Sequence, residues 1–115
     1  KDAIQYFGTV VRNKTKNVAG WEALIRCLIK AKFYEEAIEQ CNAALKATDG
    51  KPLFLFYHSA MLFELGKTKE ALLKLDAAME KAPRLLKKFI ELNPSILQNN
   101  QVVDIVARYK KGKKI

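Results

Sequence analysis

Glycine and proline are scarce in this chain, with 5 and 3 copies among 115 residues. An all-β protein of many short strands needs more turn formers than that, so the composition points to helices. No apolar run reaches the roughly 18 residues that a membrane-spanning helix requires. The 2 cysteines, Cys27 and Cys41, do not make a disulfide scaffold. Buried thiols acting as small hydrophobes are their default state. The single histidine, His58, sits inside an apolar segment and reads as a packed core residue. No Cys-x2-Cys or His-x3-His spacing and no glycine-rich phosphate loop occurs, so no metal or cofactor is expected. Glu35-Glu36 falls at a helix start, where paired carboxylates serve the helix dipole rather than acid–base chemistry. No catalytic residue is therefore assigned, and the chain is expected not to be an enzyme. It opens at Lys1-Asp2-Ala3, without Met and without a signal-peptide pattern, and reads as cut from something longer. The compartment stays open.

What is present is a globular composition, 50% hydrophobic and 29% charged. The net charge of +9 is concentrated at one end. Residues 1–80 hold 12 Lys/Arg against 10 Asp/Glu, whereas residues 81–115 hold 9 against 2. A basic stripe of this kind attracts phosphate backbones or anionic lipid. A solvated tail that keeps the protein soluble gives the same composition.

Self-comparison finds an internal repeat. Glu35-Glu36-Ala37 aligns with Lys69-Glu70-Ala71 at an offset of 34 residues. At that offset Leu28 meets Leu62, Ala44 meets Ala78 and Leu45 meets Met79. Moving back by the same step, Ala37 falls on Ala3, Ile38 on Ile4 and Cys41 on Phe7, so the chain opens midway through an earlier copy. Each copy reads as two helices. Trp21, Leu24, Ile25 and Leu28 lie on one helical face, and Ala37, Ile38, Cys41, Ala44 and Leu45 on another. Asn17 is placed to cap the first helix, Pro52 to open its second copy and Gly66 to stop it. A third copy decays: residues 84–92 read as helical, Asn93-Pro94 breaks the pattern, and residues 102–109 form a last helix.

These residues resemble the tetratricopeptide repeat, a 34-residue pattern of Trp-x2-Leu-Gly-x2-Tyr, then Ala-x3-Phe, then Ala and Pro. The first unit has Trp21-x2-Leu24-Ile25-x2-Leu28, Ala37-x3-Cys41, Ala44 and Asp49. The second has Leu55-x2-His58-Ser59-x2-Leu62, Ala71-x3-Leu75, Ala78 and Pro83. Ile25 stands where the family keeps a small residue, and Asp49 where it keeps Pro. The resemblance implies an all-α, right-handed antiparallel helix-pair solenoid with a degenerate C-terminal capping unit. Its parts would be residues 1–17 (second helix of a truncated repeat), 18–51, 52–85, and 86–115 (capping helices and basic tail).

In such a solenoid the first helix of each pair lines a concave groove that takes a peptide or helix. Carried over by register, the groove residues are Glu22, Arg26, Ile29 and Lys30, with Ala19, from one unit. Leu53, Phe56, Ala60, Phe63 and Glu64 come from the next. One wall would offer cations and the other aromatics, which suits a peptide with an acidic group and a hydrophobic anchor. The competing reading is that the final segment, with its broad apolar face over residues 102–109, packs into the groove and covers Phe56 and Phe63. The implied function is a non-catalytic protein–protein scaffold. The alternative is nucleic-acid binding through residues 81–115, with Lys81, Arg84, Lys87, Lys88, Arg108, Lys110, Lys111, Lys113 and Lys114 on phosphates. At the other end Ile4, Phe7 and Val10 lack a partner helix and are expected to be exposed or to pair with a second copy. Analytical sedimentation should then show concentration-dependent dimers; a monomer at high concentration removes the homodimer.

Overall fold

The computed structural model of the chain describes residues 2–92 and 94–113. Every regular element among them is helical. α1 (Asp2–Asn13), α2 (Val18–Lys30), α3 (Tyr34–Ala47), α4 (Pro52–Glu64) and α5 (Thr68–Lys81) follow one another through short loops, and each packs on the next. A 3-10 turn (Pro83–Leu85), α6 (Leu86–Leu92), a second 3-10 turn (Pro94–Gln98) and α7 (Asn100–Lys113) complete the chain. None of the described helices is long and apolar enough to cross a membrane.

The 34-residue step is visible in the helices themselves. α2 and α4 each have 13 residues and start at Val18 and Pro52. α3 and α5 each have 14 and start at Tyr34 and Thr68. The turns between them also match. The Phe33 amide donates to the Leu28 carbonyl at 2.8 Å and the Lys67 amide to the Leu62 carbonyl at 2.9 Å. Both are the six-to-one bond that ends a helix through one left-handed residue. In the second unit that residue is Gly66, as the sequence predicts, at φ 78°. In the first it is Lys32, at φ 65°, a conformation a side chain adopts only at a cost. Asn17 caps α2 as expected, its Oδ1 accepting the Gly20 amide at 3.1 Å. Asn99 caps α7, its Oδ1 accepting the amides of Gln101 and Val102.

Small residues set how closely the helices approach. Ala37, Ala44, Ala71 and Ala78 are all fully buried. A Cβ on Gly20 would lie 3.1 Å from Cγ1 of Val10, so α1 and α2 meet there as closely as a glycine permits. Ser59 takes the small position of the second unit and satisfies its hydroxyl by donating to the Ala71 carbonyl at 2.7 Å. Trp21 packs at the α1–α2 junction and donates its Nε1–H to the Thr15 carbonyl at 2.6 Å. The core runs without interruption from Val11 through these pairs to Phe89, Val102 and Ile105.

Two terminal expectations need revision. Ile4, Phe7 and Val10 are half-buried rather than exposed; Val11 anchors α1 to the core, and Tyr6 is the residue left outside, at 64% exposure. At the other end α7 does not enter the face of α2 and α4. It packs on α5, while α6 packs on α4.

Ala71→Leu should overpack the α4–α5 contact and lower folding stability by about 1–3 kcal/mol. A thermal or denaturant melt indistinguishable from the parent would show that Ala71 is not a close-approach position.

Candidate functional site: a polar cluster roofed by a short helix

The site lies on the face shared by α2 and α4. Glu22 and Arg26 are one turn apart on α2, and Tyr57 comes from α4. The Tyr57 hydroxyl donates to Glu22 Oε2 at 2.6 Å, and Arg26 donates to the Tyr57 oxygen at 3.2 Å. Arg26 also stands 3.7 Å from Glu22. A third helix supplies the closing charge: Lys88 Nζ of α6 reaches Glu22 Oε2 at 2.8 Å. One carboxylate oxygen thus faces a phenol, an ammonium and a guanidinium.

The neighbouring part of the face is apolar. Phe56 is 1% exposed, Ala60 is fully buried and Phe63 is half-buried. Phe89, the residue after Lys88, covers the two aromatics, with ring centroids 5.8 Å from Phe56 and 6.3 Å from Phe63. Burying such a ring is worth about 1.5–3 kcal/mol, whereas a partly exposed ion pair such as Lys88–Glu22 adds at most about 1 kcal/mol. Apolar burial therefore holds α6 down, and the ion pair sets its position.

The electrostatics follow from this enclosure. Burial alone would raise the Glu22 pKa, but hydrogen bonds from Lys88 and Tyr57, with the charges of Lys88 and Arg26, outweigh it and hold the carboxyl below its ordinary value. The Tyr57 hydroxyl is pushed up by burial and by the hydrogen bond it makes to Glu22, so it stays a donor. Arg26 is held still more firmly protonated by its bond to Tyr57. Cys41 is buried and its thiol pKa is raised by burial; both cysteines are free. The His58 pKa is lowered by burial and by the charge of Lys74, against the opposing pull of Glu70, and its buried Nδ1 has no hydrogen-bond partner. Among the described residues no group of three or more His, Cys, Asp or Glu could hold a metal ion.

The structure brings only some of the expected groove residues together. Glu22 and Arg26 are in the cluster, but Arg26 supports Glu22 and Tyr57 rather than forming a cationic wall. Phe56 and Ala60 are buried, and Phe89 of α6 lies against the Phe56 ring. Ile29 and Lys30 line a separate cavity of about 370 Å³ with Phe7, Ala23, Arg26 and Cys27. Leu53 is half-buried against the core, and Ala19 and Glu64 are exposed beyond the cluster. The residues that sequence reasoning missed are Tyr57, Lys88 and Phe89. Tyr57 falls between two apolar stripes, and Lys88 was assigned to the basic segment. In that segment Arg108 also has other engagements: it stands 3.7 Å from Asp76 and over the Tyr109 ring, whose hydroxyl donates to Asp76. The side chains of Lys110, Lys111 and Lys113, and all of Lys114, lie outside the described residues.

No protein-family model, curated protein or solved structure matches this chain significantly.

The lowered pKa of Glu22 makes the α6 tie pH-dependent. When α6 opens, Glu22 loses the hydrogen bond and charge of Lys88, which help hold its pKa below the ordinary value of 4.5, and keeps those of Tyr57 and Arg26. The tie is therefore complete above that value and is lost as pH falls through the lower, docked-state pKa. Amide exchange across residues 87–91, corrected for intrinsic rates, should accelerate relative to α4 on acidification. Glu22→Gln should produce the same acceleration at neutral pH, and unchanged protection in that variant would remove Glu22 as the tie.

Proposed function

We propose that this chain is a non-catalytic interaction module of the tetratricopeptide kind, a solenoid of helix pairs that holds a segment of another protein on its concave α2/α4 face. One observation carries the reading. α6 is already seated on that face as a short helical segment, with one charge on Glu22 and one ring on Phe56 and Phe63. A surface that seats a seven-residue helix through one charge and one ring, with Leu86 packed alongside, has the features of a peptide site: a partly buried charge beside an apolar shelf. The matched lengths and turns of α2–α3 and α4–α5 support the repeat assignment. The buried states of His58 and Cys41 support a role without chemistry.

A second reading rests on the excess of 9 Lys/Arg over 2 Asp/Glu in residues 81–115. It is nucleic-acid binding through that segment. The engagement of Lys88 and Arg108 within the protein reduces the cations it can offer.

Selection of a random peptide library on the immobilised chain, followed by a hydrogen-exchange footprint of the enriched peptides, separates the two. Protection should appear on α2 and α4. A footprint on α7, or no enrichment beside salt-sensitive capture of single-stranded RNA, would move the function to the basic segment.

A further inference from the structure

The regular repeat step would set residues 86–98 beside α5 as α4 sits beside α3. The chain does otherwise. After Pro83 it turns, α5 makes little contact with α6, and α6 crosses α4 to reach Glu22 on α2. Glu22 and Lys88 thus bridge elements that regular stacking would keep a full unit apart. α6 is also poorly built to stand alone. It has 7 residues, too few for a helix to persist without tertiary support, and a 3-10 turn flanks it on each side. Of its described side chains only Phe89 is fully buried. Segments with so few anchors open far more readily than the core they rest on.

The face beneath α6 carries both signs: Glu22 meets Lys88, and the charge of Glu91, also on α6, acts on Arg26. The Glu22 side chain is 18% exposed, and its charged form is favoured. Uncovered, it presents a carboxylate at the edge of an aromatic shelf formed by Phe56 and Phe63. At Glu22 an acidic group would meet like charge and a cation restores the pair, whereas Arg26 one turn away suits an acidic group.

Resting on the groove reading above, we propose that α6 is an exchangeable occupant of the α2/α4 face. The partner that displaces it is a short helical protein segment carrying Lys or Arg directly followed by an aromatic residue. It matches Lys88-Phe89, with the cation on Glu22 and the ring on Phe56 and Phe63. The cation sits at Glu22, beside the acidic group expected from Arg26 and Lys30, a place that Glu91 takes in α6. Such a partner competes with α6, so its apparent affinity is scaled by the fraction of molecules in which α6 is open.

The test is fluorescence anisotropy with a labelled peptide of residues 83–98 and the full chain. Lys88→Glu in the chain places like charges against each other without touching the core, since Lys88 is 40% exposed. It should tighten peptide binding by about tenfold relative to the parent as the open fraction rises. Phe89→Ala is the second variant that frees the face, and circular dichroism confirms that both remain folded. Glu22→Lys should abolish binding of the parental peptide, and a peptide carrying Lys88→Glu should restore it. If the Lys88→Glu peptide binds the parent chain as well as the lysine peptide does, the charge rule is overturned while the groove stands. If Phe89→Ala frees α6 by hydrogen exchange yet neither peptide binds, both the exchange and the groove reading fail. If that variant dimerises instead of binding peptide, the occupant is a second copy, and the partner of stated chemistry is refuted.

Discussion

Four alanines set the spacing on which the rest of the molecule depends. Ala37 and Ala44 in one unit, and Ala71 and Ala78 in the next, are fully buried where helices meet. Interhelical distance follows the size of the side chains at the contact, within a range of about 8–10 Å. Methyl groups at those contacts favour the short end of that range. The larger residues Trp21, Phe54, Tyr57 and Leu75 are buried in the same core. The seam between α2 and α4 is where Tyr57 meets Glu22. A wider pair would carry Tyr57 out of reach of the carboxylate, and Lys88 would lose its preorganised partner. Local side-chain volume is in this way connected to the chemistry of the exposed face.

Much of the helical framework could be read from residues with a mechanical reason to be where they are. Asn17 caps because its side chain accepts a backbone amide that the helix start leaves free. Gly66 stops α4 because the turn needs a positive φ. Ala71 is buried because α5 packs on α4 there, at the same place in the 34-residue period as the buried Ala37. The same logic failed at Lys32, which adopts the left-handed conformation without being glycine. There the six-to-one hydrogen bond and the packing on either side outweigh local preference.

The site was less legible, for a physical reason. Glu22 and Arg26 could be chosen from helical geometry, since they are neighbours on one helix. Lys88 could not be matched to Glu22, because their meeting depends on how the chain turns at Pro83, a tertiary outcome with no periodic signature. Phe56 and Phe63 look alike in sequence whether they wait for a ligand or rest under Phe89. A charge excess in a linear segment likewise does not say which cations will be drawn into ion pairs, as Lys88 and Arg108 are.

Trp21 is the one tryptophan of the chain, and it is fixed at the α1–α2 junction by its bond to Thr15. Its emission is an optical marker confined to one end of the molecule. It registers opening of the α1–α2 junction, whereas the far-ultraviolet signal sums the helical residues of the whole chain. Comparing the two melting curves measures how far a disturbance at one end travels along the stacked helices. Coincident curves describe one cooperative block, and separated curves describe a chain of units that loosen in turn.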